Sequence, residues 1–514
     1  MSLTNFISIL GAANSGDTYW IAFDFLTNQF NISMASMGVT VDDDDNIYIS
    51  GSNRAQGAQS TDYFGSIIKM DTNGTRQSPI GGWYGAWTSS NPYVSGYISR
   101  IHYNSSTDEI SAGFRASVGA SWGTYEALQS WYIRNFSASN LSVSGGLSLS
   151  SGRENYDSAT ASFYHDDGYC HDAVMHPSED IMYGIGYSSG NLFIAATSQG
   201  IWGANSARLS QSSVEYTSGL AIDADGSNLY GSFALLGYFG GSAGQNRVGH
   251  ILESLATGGV QQHDGRYGIY PTANVTNYSF HNGFSAPHVG SDGYVYLASV
   301  FDGWGVNGSF NSAQVFVSKL NPTTLSLVWR KRVVFPTRGN VGFALNYSPN
   351  IVSDSQGNVY FHHHADTIQT ATYLTKLNSD GDLEWSLQCD TGVGANQNVI
   401  NGLGINSKGT PIWKVPSATI KLPPEGPNVI PNGTTYTLQA TDPVTGTYTY
   451  TFNDYTSNIS VDTSTTGFGI ITSTTSTLNG LANHPQTFNN ENRKVQGWRS
   501  EGQPTITEDV EVIP

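Results

Sequence analysis

One hairpin pattern recurs along this chain, and it limits the possible folds more than any other feature. "GVTVDDDDNIYISG" (38–51) reads as a short strand, a polar turn and a second strand. "GLAIDADGSNLYGSF" begins at Gly219, "PHVGSDGYVYLAS" at Pro287 and "NIVSDSQGNVYFH" at Asn350. Looser copies start at Arg100 ("RIHYNSSTDEISAGF"), Ala173 ("AVMHPSEDIMYGIGY") and Gly402 ("GLGINSKGTPIWK"). Asp, Asn and Gly tolerate the left-handed backbone that tight turns need, so each copy is expected to be a hairpin. The aspartates at 42–45 then form a turn, although adjacent acids could also chelate calcium. "DADGSN" at Asp223 starts like an EF-hand loop, but Ala234 stands where that loop needs a bidentate Glu.

A second unit follows most copies: "SIIKMDTNGT" from Ser66, "VFVSKLNPTTLSLVW" from Val315, "TYLTKLNSDGDLEW" from Thr372, and a fainter "SWYIRNFSASNLS" from Ser130. A strand with Lys or Arg leads into another polar turn, and a strand often carrying Trp comes next. Two hairpins make a four-stranded meander. Aligning the second strands places Tyr48, Ile110, Tyr183, Tyr230, Tyr296, Tyr360 and Ile412 at one position, about 50 to 70 residues apart. Meanders at that interval are blades of a β-propeller. The copy at Gly402 lacks its companion, while "DTYWIAFDFLTNQFNIS" from Asp17 is a companion without a first hairpin. Residues 17–33 are therefore expected to supply outer strands of the last blade and seal the ring, which removes open sheet edges.

The expected fold is all-β: a propeller of about seven blades closed by both ends of the repeat region, with a small C-terminal β appendage. The expected divisions are an N-terminal strap (1–16), the propeller (17–415), a Pro-rich linker (416–431) and a Thr/Ser-rich β appendage (432–514). The paired motifs resemble the blades of bacterial and viral propeller repeat proteins. The C-terminal segment, with "TYTLQATDPVTGTYTYTF" and "TSTTGFGIITSTTSTLNG", is similar to low-charge β tails in virion proteins of tailed, marine-type bacteriophages.

Composition agrees with strands joined by many turns. Charged residues are 12% of the chain, about half the usual share, while aromatics also reach 12%. The net charge of −18 disfavours non-specific binding to nucleic acid or anionic membranes. No apolar run is long enough for a membrane span, and no Lys or Arg precedes Arg54 to form the basic flank of a secretory signal. Cys170 and Cys389 are too far apart to suggest a metal site.

"YHDDGYCHD" (164–172) offers His165, Asp167 and His171 as metal candidates, yet its spacing matches neither H-E-x-x-H nor C-x-x-C. A polar stitch between blades, made by His171 and Asp172, is the competing expectation. In "FHHHAD" alternation sends His362 and His364 to one face and His363 to the other. There is no G-x-S-x-G elbow, and paired carboxylates on separate blades would not be visible in a sequence. Flat aromatics among glycines, Trp83, Tyr84, Trp87, Tyr93, Trp202 and Trp304, suit stacking on sugars or anchoring a protein partner. Covering their own blades is the alternative role.

These readings imply a non-enzymatic virion component, made in the host cytoplasm without a secretory signal. It would bind other virion proteins and a host-surface glycan or receptor, in many copies or as a homo-oligomer, without a cofactor. The alternatives are a propeller-fold glycan hydrolase or lyase, and an intracellular scaffold.

Overall fold

Asp42 shows why the repeated hairpin closes where it does. Its Oδ1 accepts the backbone N–H groups of Asp44 (3.0 Å) and Asn46 (2.8 Å), and Asp45 takes a positive φ of 62°. Asp223, Asp354 and Asn406 accept in the same way from Asn228 (2.9 Å), Asn358 (2.9 Å) and Thr410 (2.8 Å). The aspartate run is a turn, as expected.

The computed structural model describes residues 17–24, 38–54, 63–85, 94–118, 128–150, 169–188, 191–196, 200–204, 213–236, 248–256, 263–272, 283–302, 313–336, 350–364, 371–391, 402–415, 417–440, 446–473, 482–484, 495–497 and 510–513. The first strand is β1 (Tyr19–Phe23). A meander follows: β2 (Val39–Val41), β3 (Ile47–Arg54), β4 (Tyr63–Met70) and β5 (Arg76–Gly85). The next comprises β6 (Val94–Asn104), β7 (Glu109–Val118), β8 (Leu128–Ser137) and β9 (Val143–Ser150). Then come β10 (Tyr169–Met175), β11 (Met182–Ser188), β12 (Asn191–Ala196) and β13 (Gly200–Ala204). After these are β14 (Ser213–Ile222), β15 (Asn228–Leu236), β16 (Val248–Ala256) and β17 (His263–Pro271). The next inner strand is broken into β18 (Gly283–Phe284) and β19 (His288–Val289), ahead of β20 (Val295–Asp302), β21 (Ala313–Leu320) and β22 (Leu327–Phe335). The last full meander is β23 (Asn350–Ser353), β24 (Val359–His364), β25 (Ala371–Leu377) and β26 (Leu383–Asp390). It is followed by β27 (Gly402–Ile405), β28 (Pro411–Val415) and β29 (Ala418–Lys421).

The innermost strands touch in succession around an axis, β2, β6, β10, β14, β19, β23, β27 and back to β2, as a propeller requires. Among the described residues hydrogen bonding gathers the strands into six sheets, not the expected seven or so. The difference arises because the first two meanders are joined by a parallel bridge between Tyr63 and Ser95, giving one nine-stranded sheet.

The two sequence motifs meet in a row across two of the meanders. Tyr360 lies opposite Lys376, which lies opposite Trp385; Tyr296, Lys319 and Trp329 repeat the arrangement. The ammonium of Lys376 sits 5.5 Å from the Tyr360 ring centroid, and that of Lys319 4.3 Å from Tyr294. The Trp then reaches the neighbouring turn, with Trp329 Nε1 donating to Ser379 O (2.9 Å) and Trp385 Nε1 to Pro424 O (3.0 Å). Trp20 does the same in the closing sheet. It lies opposite Lys421, which faces Ile412, and its Nε1 donates to Thr72 O at 3.0 Å.

The ring is thus sealed by β1 pairing with β29, which continues β27 and β28. Among the described residues one N-terminal strand, β1, completes the sheet; residues 25–33 of the expected span lie outside them. One detail of the expectation is corrected. The third strand, β29, comes from the Pro-rich stretch that composition alone had suggested was a linker, because "ATIK" presents four buried residues in register with β28. Between this sheet and the first, Trp20, Ala22 and Ile412 pack on Val39, Ile47, Ile49, Ile68 and Met70. Each buried Val, Ile or Met among them contributes about 1.5–3 kcal/mol.

The C-terminal segment is β but does not form a separate appendage. β30 (Thr434–Ala440) pairs with β31 (Gly446–Asp454), and β31 also pairs with the outer strand β26. β32 (Ser460–Asp462) then adds to β22, β33 (Phe468–Ser473) to β17, and β34 (Ala482–His484) to β13. β35 (Val495–Gly497) adds to β5, and β36 (Val510–Ile513) to β1. All are antiparallel additions. The segment is a belt that visits the outer edges in reverse order, and β9 is the outer edge that receives no belt strand among the described residues.

Candidate functional site

Three successive inner strands are bulged at the same level of the ring. On β6 the register shifts between Ile98 and Ile101, around Arg100; on β10 it shifts between Cys170 and Asp172, at His171; on β14 it shifts between Thr217 and Gly219. Bulges re-aim side chains and are enriched beside functional sites. Here they bring Arg100, His102, Asp172 and Gly219 together from three meanders.

Asp172 is fully buried. Its Oδ1 accepts from its neighbour Ala173 N–H (2.9 Å) and lies 2.8 Å from His102 Nε2, while Oδ2 accepts from Leu220 N–H (2.8 Å). It therefore stitches β6, β10 and β14, which is the structural role expected for this position. A Cβ on Gly219 would come within 2.5 Å of Asp172 Oδ2 and 3.2 Å of Arg100 Cδ. Arg100 thus reaches past β10 to lie against β14, and only glycine leaves it room. Burial pushes the Arg100 guanidinium down to about 10, with the charge of Asp172 opposing, so it remains a cation at neutral pH. Among the described residues neither its Nε nor its Nη2 has a hydrogen-bond partner. The His102 side chain keeps 32% of its surface exposed.

His288, from the broken inner strand, adds a fourth polar group. Its Nε2 accepts from Ser353 N–H at 3.0 Å, which fixes the neutral imidazole with the proton on Nδ1. Burial, partly offset by the charge of Asp292 and reinforced by that of His102, pushes it down to about 4. Among the described residues this cluster holds a cation, the His102 and His288 imidazoles and one carboxylate with both oxygens engaged. That chemistry suits recognition of an anion better than proton transfer between two carboxylates.

Three of the residues expected to bind ligands are described, and they lie on outer strands. Trp83 and Tyr84 are in β5, opposite Gly497 and Gln496 of the belt, and Trp202 is in β13, opposite Asn483. They are strand positions, not loop tips, because in-register pairing runs through these glycine-rich stretches. Trp87, Tyr93, Trp304, His165 and Asp167 lie outside the described residues, and of His171 only the backbone is described. No group of three or more His, Cys, Asp or Glu that could hold a metal ion occurs among the described residues. His362 and His363 are both buried; Nδ1 of His362 accepts from Asn350 N–H (3.1 Å), and His363 stacks on Tyr373. These contacts lie within their own sheet, and His363 also packs on Phe335 of the neighbouring meander, with ring centroids 3.8 Å apart.

Sequence reasoning passed over Arg100 and His102, which were visible only as part of a loose repeat. Their signal was a departure from the pattern: other inner strands read "GVTV", "GLAI" or "GLGI", whereas this one reads "SRIHY".

No protein-family model matches the chain, and no curated protein matches it in sequence. Among solved structures it is similar to a protein of unknown function from Dyadobacter fermentans, at 9% identity and a TM-score of 0.39, covering 72% of this chain and 97% of that one. It is also similar to TolB from Acinetobacter baumannii, at 13% identity and 0.31, covering 71% and 66%. A leech intramolecular trans-sialidase follows at 10% identity and 0.30, covering 82% and 71%. Likenesses this distant carry no argument about function, and the propeller rests on its own strand pairing.

Proposed function

We propose that this chain is a non-enzymatic binding propeller, carried in many copies on a tailed-phage particle, where it contacts other virion proteins and a host-surface glycan or receptor. The observation that supports binding over catalysis is the channel cluster. Its single carboxylate among the described residues, Asp172, is fully buried and occupied by two backbone amides and His102. A glycoside hydrolase needs two carboxylates with separate acid and base or nucleophile roles. The particle assignment draws its support from the low-charge, Thr/Ser-rich C-terminal sequence, and a belt of strands over the outer edges suits a protein exposed to harsh surroundings.

Mass spectrometry of gradient-purified particles tests the proposal. The chain should be present at a fixed stoichiometry to the capsid protein; absence from intact particles sinks the particle reading. A propeller-fold glycan hydrolase or lyase is the second reading, favoured by the convergence of His102, Asp172 and His288. Release of reducing ends from a glycan by the purified chain, lost in Asp172→Asn, would replace the first reading with the second.

A further inference from the structure

We infer that the central channel holds a carboxylate-binding site, with the Nε and Nη2 edge of Arg100 as its bidentate donor. Nε and Nη2 share one edge of the guanidinium, and their N–H groups point the same way, spaced to meet the two oxygens of a carboxylate. That edge is buried and unpartnered here. Leaving two charged N–H groups without acceptors is costly, and folded chains retain such groups where a ligand supplies the acceptor.

The surroundings exclude the obvious internal solution. Asp172 is the carboxylate whose charge reaches Arg100, yet its oxygens are engaged by Ala173, Leu220 and His102. Its charge holds the guanidinium in place without capping the free edge. Three consecutive inner strands depart from regular pairing around Arg100, which is a large local departure for a purely structural residue. Gly219 completes the arrangement, since any side chain there would strike Asp172 and Ala286 and crowd Arg100. His102, partly exposed, is placed to contact the remainder of a ligand once its carboxylate is on Arg100. A planar two-oxygen anion fits this edge, and a uronic acid is a simple sugar carrying one. The inference goes beyond the binding-propeller reading and holds whether or not the chain is part of a particle.

The test is calorimetric titration of the full-length chain with D-glucuronate, using D-glucose as the neutral control, on wild type, Arg100→Met and Arg100→Lys. Glucuronate should bind the wild type and glucose should not. Arg100→Met should abolish binding, and Arg100→Lys, which keeps the charge without the fork, should weaken it by about tenfold or more. A melt without ligand adds a readout that a structural role would reverse. Arg100→Met should leave Tm unchanged or raise it, because it removes buried donors that lack partners. Absence of glucuronate binding to the wild type overturns the inference. So does binding that survives unchanged in Arg100→Lys, or a large loss of Tm in Arg100→Met.

Discussion

Trp20→Ala should unlatch the ring at one place. Trp20 is fully buried, its ring lies on Gly74, where a Cβ would come within 2.6 Å of the indole, and its Nε1 donates to Thr72 O at 3.0 Å. Removing a buried Trp costs about 3–5 kcal/mol, with the lost hydrogen bond accounting for about 1 of it. The cost falls on β1, which alone joins β29 to β36. At about 1.4 kcal/mol per decade, amide protection in β29 and β36 should drop by roughly two to three and a half orders of magnitude. Hydrogen exchange read by mass spectrometry measures this directly, and the sheet of β14 to β17, across the ring, serves as the internal control. Trp385→Ala is the matched perturbation, since its Nε1 makes the same kind of bond, to Pro424 O, from the sheet of β23 to β26 and should lower protection there instead. A fall of less than about threefold in β29 and β36, or an equal fall in β14 to β17, would show that β1 is not a separate latch.

Two further outcomes follow from the same architecture. Burial alone would push Asp17 up, but its bonds to Lys421 and Thr410 and the charges of Lys421 and Lys408 hold its carboxyl below the usual value. A depressed carboxyl adds stability that is fully present above its unfolded pKa of about 4 and is lost as pH falls through the lower folded value. The Tm of the wild type should therefore fall more steeply below about pH 4 than that of Asp17→Asn, and parallel curves would remove the latch role of Asp17. Deleting residues 441–514 strips added strands from β26, β22, β17, β13, β5 and β1, so the shortened chain should self-associate through exposed edges in light scattering; a monodisperse monomer would mean the belt covers nothing that needs cover.

How much of this was legible in the sequence depends on what each element leaves as a trace. The hairpins were readable because the turn chemistry is local: Asp42, Asp223, Asp354 and Asn406 fold their own next few residues. The Tyr–Lys–Trp row was readable as two motifs, although its purpose, gripping the next turn, appears only in three dimensions. β29 was masked by its prolines, and four residues are too few to show a period. The belt was missed for the same reason, since β32, β34 and β35 have three residues each and take their register from strands more than a hundred residues away. The channel cluster was out of reach because Arg100, Asp172, Gly219 and His288 sit on separate repeats and meet only once successive meanders pack.

The belt and the latch are not independent. Through its backbone ladder β36 bonds to β1, and β1 bonds to β29, so the chain's last described strand has no edge to join until the first one is in place. The ring must therefore close before the belt can finish. Once β36 is added, β1 lies between two strands and its outer edge is no longer open. Glu511 of β36 also accepts from Thr437 N–H of β30 at 3.3 Å, tying the end of the belt to its beginning. Loss of β1 then requires either β36 to leave first or both ladders to break together, and a strand held on two sides opens far less often than one held on a single side. The closure is for that reason a two-step lock, in which the N-terminal strand completes the ring and the C-terminal strand keeps it there.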